Sequence, residues 1–151
     1  MRLQLALNVR DLDEEVAYYS KLFGATPHKR RPGYANFALD APPLKLVLFE
    51  SPDATERLNH LGVEVSEPRE VAAAERRLGA AGVLDRVARQ VTCCHATQDK
   101  VWSTEPQGLR WEWYRINDDA SGPYPALADG CCAGTGSKPS FAIFSQDSSS
   151  R

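Results

Sequence analysis

One unit is written twice in this chain. Residues 3–9 (LQLALNV) alternate apolar and polar with a period of two, the signature of a strand. Asp11 then stands where a helix N-cap belongs, with Glu14 three residues on. Leu12, Val16, Tyr19 and Phe23 fall on one helical face, and Gly24 supplies the stop. Two more strands follow, YANFAL (34–39) and LKLVLFE (44–50), joined at Asp40-Ala41-Pro42-Pro43 where no ladder donor is needed. The order then returns. LNHLGVEV (58–65) reads as a strand, Ser66 as the cap of a helix carrying Val71, Ala74, Leu78 and Ala81, and Gly82 as its end. Residues 83–92 are a weaker strand, and residues 100–104 and 109–116 form a hairpin around Glu105-Pro106-Gln107-Gly108, a type I turn pattern. Gln4 aligns with His60 and Leu44 with Leu109. Two copies of a strand–helix–strands unit pack as one body. Each copy has one sheet face for its helix and one left over, and two leftover faces can curve together around a site. The predicted fold is α+β, with paired βαβββ modules at 1–52 and 57–116 forming one domain over 1–116.

After Ile116 the character changes. Residues 117–151 are rich in Gly, Ser, Asp, Pro and Ala and read as a flexible tail, in which the FAIF run at 141–144 either docks or is incidental. The rest has ordinary globular composition, 42% hydrophobic and 25% charged. A net charge of −2 without a long basic run argues against nucleic acid or an anionic membrane as partner. No stretch reaches the length of a membrane span. The N-terminus opens on a strand, not on a signal peptide, so the expected location is the cytoplasm, where thiols stay free.

Those thiols are spent in an unusual way. All four cysteines stand in adjacent pairs, Cys93-Cys94 and Cys131-Cys132. Neighbouring cysteines close no useful loop, since a disulfide stabilises chiefly by cross-linking distant parts of the unfolded chain. A close thiolate pair does grip one soft ion: Cd(II), Zn(II), Cu(I) or trivalent arsenic. Small buried core residues are the bland alternative for one pair. It fits poorly for two, one of them in a polar tail.

Strand alternation sorts the remaining polar residues. Leu3, Leu5 and Leu7 share one face, leaving Gln4, Ala6 and Asn8 opposite; Leu61, Val63 and Val65 leave His60, Gly62 and Glu64 opposite; Leu109, Trp111 and Trp113 leave Arg110, Glu112 and Tyr114 opposite. Gln4, His60 and Glu112 thus share the non-core face near a pseudo-twofold axis. An amide oxygen, an imidazole and a carboxylate together can hold a first-row divalent metal. Three protein ligands leave positions open, as catalytic sites do. Taken singly, each has a duller reading: a hydrogen-bonded histidine, a solvated glutamate, an unremarkable glutamine. His28, beside Lys29, Arg30 and Arg31, reads as surface, and His95 either tunes the cysteine pair or is a loop residue.

The repeat, the turn TEPQG and the positions of His60 and Glu112 resemble the vicinal oxygen chelate superfamily over residues 1–116. Within it, NHLGVEV (59–65), CCHATQDKVW (93–102) and GLRWEWY (108–114) are similar to the group of Fe(II)-dependent carbon–arsenic lyases and cadmium-induced proteins. The resemblance implies Gln4, His60 and Glu112 as ligands of Fe(II), and Cys93 and Cys94 as substrate-binding thiols. It also implies a tail pair as accessory. Many relatives carry histidine at the position of Gln4, and this chain does not. Glyoxalase I takes a fourth ligand where the repeat here puts Val47, which cannot bind metal and so disfavours that reaction.

The implied activity is dioxygen-using cleavage of trivalent organoarsenicals such as methylarsenite, leaving arsenite, by a monomer or homodimer. Cys93 and Cys94 would capture arsenic as thiolates and hold it near the metal at high effective concentration. His95 and Lys100 are accessory candidates for favouring the thiolates, and Cys131 and Cys132 for passing arsenic on. The alternative is a cadmium- or arsenite-binding resistance protein without catalysis.

Overall fold

The computed structural model describes residues 1–93 and 95–119. The strands are β1 (Arg2–Val9), β2 (Lys29–Arg31), β3 (Tyr34–Leu39), β4 (Leu44–Glu50), β5 (Leu58–Glu64), β6 (Arg86–Cys93), β7 (Ala96–Thr104) and β8 (Arg110–Asp119). Helix α1 (Leu12–Phe23) follows β1, and α2 (Pro68–Ala80) follows β5. Strand, helix and three strands therefore occur twice.

All eight strands form one mixed sheet, in the order β2-β3-β4-β1-β5-β8-β7-β6. Each module is closed by a parallel pair of its first and last strands, β1 with β4 and β5 with β8. The modules meet where β1 and β5 run antiparallel, with Gln4 opposite Gly62 and Ala6 opposite His60. Both modules belong to the same chain.

The helices cover the outer face. Leu12 and Val16 of α1 pack on Leu7, Val9, Ala35, Phe37, Leu46 and Leu48. Val71 and Ala74 of α2 pack on Val65 and Val101, flanked by Val63 and Trp113. The alternation read from the sequence is what divides β1, β5 and β8 between the two faces. Leu3, read with the core set, is about half exposed. Full burial of such a leucine is worth roughly 1.5–3 kcal/mol, much of which Leu3 does not collect.

The sheet curls until its ends meet. Lys29, on edge strand β2, pairs with Asp119 at the end of β8 and donates to the His95 carbonyl at 3.2 Å. On the inner face Cys93 of the opposite edge strand packs with Ala6, Tyr34, Val47 and Phe49. The concave face is therefore a second core, not a solvated surface.

Several expectations change in detail. Asp11 caps α1 as predicted, accepting from the Glu14 N–H at 2.9 Å, and Gly24 ends it at φ 61°. The N-cap of α2 is Glu67, not Ser66. Pro68 has no N–H to satisfy at the first helical position, and the Glu70 carboxylate accepts from the N–H groups of both Ser66 and Glu67 at 3.1 and 3.0 Å. Strand β2 was not predicted, because three basic residues carry no apolar alternation. Strand β7 begins at Ala96 instead of Lys100, and β8 runs three residues past Ile116. Cys93 is thus paired to Ala96 where β6 turns back into β7, and His95 sits in that turn at φ 63°. Cys94, Cys131, Cys132 and the 141–144 run lie outside the described residues.

Candidate metal and thiol site

The register across the module junction assembles the site. Gln4, Gly62 and Glu112 lie side by side on β1, β5 and β8. Because Gly62 has no side chain, the flanking residues lean over it and touch. A Cβ there would come within 3.0 Å of Glu112 Cγ and 3.3 Å of Gln4 Nε2. His60, two residues along β5, enters from the same face.

The three side chains converge. Gln4 Nε2 lies 2.7 Å from Glu112 Oε1 and 3.0 Å from His60 Nε2, and His60 Nε2 lies 3.2 Å from Glu112 Oε1. All are buried, at 4%, 1% and 3% exposure for Gln4, His60 and Glu112. Three donors on one face of an octahedron with bonds of about 2.1 Å stand about 3 Å apart, so the spacing fits a first-row metal. The Gln4 amide now offers nitrogen; a half-turn offers its oxygen. Tyr114 donates its hydroxyl to Gln4 Oε1 at 2.5 Å, and a phenol that can also accept serves either orientation. Among the described residues no three His, Cys, Asp or Glu converge. The triad depends on its amide member.

Lys100 is directed into this cluster. Its Nζ lies 3.0 Å from Glu112 Oε2, with both side chains almost fully buried. Burial by itself would raise the Glu112 carboxyl. The Lys100 ammonium beside it, with the neighbouring His60 imidazole, more than offsets that and holds it well below the ordinary carboxylate range. Glu112 is therefore an anion with one oxygen engaged by Lys100 and the other turned to the triad. Lys100 and Lys45 both approach the ring of Tyr114, at 5.9 and 5.1 Å.

The triad opens on a cavity of about 30 Å³ lined also by Tyr34, Asn36, Val47, Phe49 and Lys100. That suits an ion with a water or two. Val47, at the repeat position of Glu112, gives it an apolar wall. The Asn36 carboxamide oxygen, buried on this wall, has no hydrogen-bond partner among the described residues.

Cys93 is fully buried on the inner face, and its carbonyl accepts from Gln98 Nε2 at 2.8 Å. The sequence led us to expect free thiols. Here the Cys93 sulfur is disulfide-bonded. The His95 ring lies 5.3 Å from that of Tyr34, tilted by 55°. Burial, then the charges of Arg31 and Lys29, lower its pKa, so it is a neutral neighbour of the pair. Tyr114, Asn59 and Lys45 were not singled out from sequence. For Tyr114 the signal was present, since it shares a face with Glu112.

A mixed sheet of two βαβββ modules, curled over a buried amide–imidazole–carboxylate cluster, defines a class. The chain belongs to the Glyoxalase/Bleomycin resistance protein/Dioxygenase superfamily, whose family model matches residues 3–113. It is 51% identical over 142 residues to the cadmium-induced protein CadI of Mycobacterium tuberculosis, covering 88% of this chain and 93% of that one. It is also 51% identical over 133 residues to a trivalent organoarsenical cleaving enzyme of Thermomonospora curvata, covering 87% of each. Among solved structures, the Mn(II)-bound glyoxalase of Novosphingobium aromaticivorans superposes with a TM-score of 0.57 at 20% identity, over 82% of this chain and 41% of that one. That likeness is one of fold. No described helix is long and apolar enough to cross a membrane.

Proposed function

We propose that this chain is a carbon–arsenic lyase acting on trivalent organoarsenicals, with Fe(II) held by Gln4, His60 and Glu112 and the arsenic captured by Cys93 and Cys94. The observation that carries this reading is the convergence of the Gln4, His60 and Glu112 side chains to within 2.7–3.2 Å, with the Gln4 oxygen a half-turn of its amide away, on the inner face that also buries Cys93. The relative named for organoarsenical cleavage supplies the substrate class.

Each residue has a task in this scheme. Reduced Cys93 and Cys94 displace the hydroxyls of the arsenical and form two As–S bonds. The cavity is too small for a whole arsenical beside an ion, so the thiolates hold arsenic at the rim and its carbon substituent faces inward. Lys100 occupies Glu112 Oε2, which leaves Oε1 as a single anionic donor. Val47 contributes no ligand, so positions beyond the triad stay open to molecules from outside. Bound to the triad, Fe(II) supplies the electron transfer toward dioxygen that zinc, without a second oxidation state, does not.

The test is anaerobic loading with Fe(II) and methylarsenite, followed by oxygen. Inorganic arsenite should appear. Cys93→Ser should keep iron and lose arsenical binding, and Glu112→Ala should do the reverse. Normal turnover by Cys93→Ser would remove thiol capture from the scheme.

The 51% identity to a cadmium-induced protein favours a second reading, in which the thiols sequester Cd(II) without catalysis. In that case cadmium binds at the cysteines and oxygen releases no arsenite.

A further inference from the structure

Beside the triad runs a hydrogen-bond chain whose direction is set from its far end. The Glu56 backbone carbonyl can only accept, and Asn8 Nδ2 donates to it at 2.8 Å. That turns Asn8 Oδ1 toward Asn59, whose Nδ2 donates to it at 2.8 Å. Asn59 Oδ1 is then the atom that meets His60 Nδ1, at 2.7 Å. Flipping either amide would set oxygen against oxygen, or nitrogen against nitrogen, along the chain. Arg110 Nη2 approaches the same Asn59 Oδ1 at 3.5 Å, a cationic donor turned toward that oxygen. An acceptor at 2.7 Å requires His60 Nδ1 to carry the hydrogen. The lone pair of the neutral ring then sits on Nε2, which accepts from Gln4 Nε2 at 3.0 Å and faces Glu112 Oε1 at 3.2 Å with no proton between them.

We propose that Asn59 is a positioning residue that, through its contacts with Asn8 and the Glu56 carbonyl, fixes His60 as the Nδ1–H tautomer and aims its Nε2 lone pair at the metal position. The inference rests on the metal reading of Gln4, His60 and Glu112. Outer partners of ligating histidines orient the ring and raise its basicity, and losing one typically costs 10–100-fold in metal affinity. Asn8 and Asn59 lie on the two strands that join the modules, β1 and β5. The junction thus supplies both the ligand and the group that orients it.

The experiment uses the full chain in two measurements. Long-range ¹H–¹⁵N NMR of the metal-free protein reports the His60 tautomer without any metal. Titration with Co(II), followed by its visible spectrum, reports affinity. Wild type should show Nδ1–H. Asn59→Asp keeps an acceptor and should retain both the tautomer and Co(II) affinity within about threefold. Asn59→Leu should shift the ring toward Nε2–H and weaken Co(II) binding by about 10–100-fold. If Asn59→Leu keeps the wild-type tautomer and affinity, or if wild type itself shows Nε2–H, the proposal is overturned. A wild-type protein that holds Nδ1–H yet takes up no Co(II) overturns the metal reading and leaves the tautomer assignment standing.

Discussion

Replacing Lys100 with methionine keeps the length of the side chain and removes its charge. Lys100 and Glu112 are 1% and 3% exposed and 3.0 Å apart. Breaking one partner of a buried pair is expected to cost about 3–5 kcal/mol, because the other charge is stranded. For a folded body of this size, 1 kcal/mol moves Tm by about 4 °C, so a loss of roughly 10–20 °C is expected in chelator-treated protein. The pH dependence gives the cause. In wild type the Glu112 carboxyl is depressed from its ordinary 4.5. Its stabilisation is complete above that value and is lost as pH falls through the depressed one. Without Lys100, burial loses its chief opponent and the folded carboxyl rises, so the variant is penalised most at neutral pH and is relieved on acidification. The gap between the two proteins should therefore be widest near pH 7 and narrow below about pH 5. A divalent ion at the triad should partly close it by replacing the lost charge. Urea unfolding across this range, with and without Co(II), measures all three effects. A gap under about 1 kcal/mol at pH 7, or one that widens in acid, would refute the claim that Lys100 holds Glu112 as a buried anion.

Two further outcomes test the frame of the site. Gly62→Ala puts a Cβ 3.0 Å from Glu112 Cγ and 3.3 Å from Gln4; overpacking of about 1–3 kcal/mol should appear mainly as weaker Co(II) binding, read by titration, because the metal-free side chains can part. Since Cys93 is disulfide-bonded here, arsenical binding should require prior reduction, and stoichiometric binding of methylarsenite to oxidised protein, followed by mass spectrometry, would count against thiol capture.

The repeat made most of this fold readable. Both helices and the strands at β3 and β4 follow directly from alternation and caps. So does the face shared by Gln4, His60 and Glu112, since a period of two is set by the backbone alone. What escaped depends on contacts distant in sequence. The three-residue strand at Lys29–Arg31 exists because the curled sheet brings Asp119 and the His95 carbonyl to it. The hairpin of 100–104 with 109–116 was legible and does place Lys100 opposite Tyr114, but nothing in that segment shows its ammonium buried against Glu112. Depth misled as well. The inner face reads as polar, and polar strand faces are usually wet, yet mutual pairing lets these groups be buried. Asn59 gave no signal because its partners Asn8 and Glu56 matter only once β1 and β5 are joined.

The antiparallel seam between β1 and β5 has a consequence for how the chain becomes competent. Gln4 comes from the first half and His60 and Glu112 from the second, so neither half alone owns a complete set of donors. An ion settling there would act as a clasp across the two halves, and its grip would register whether they had docked correctly.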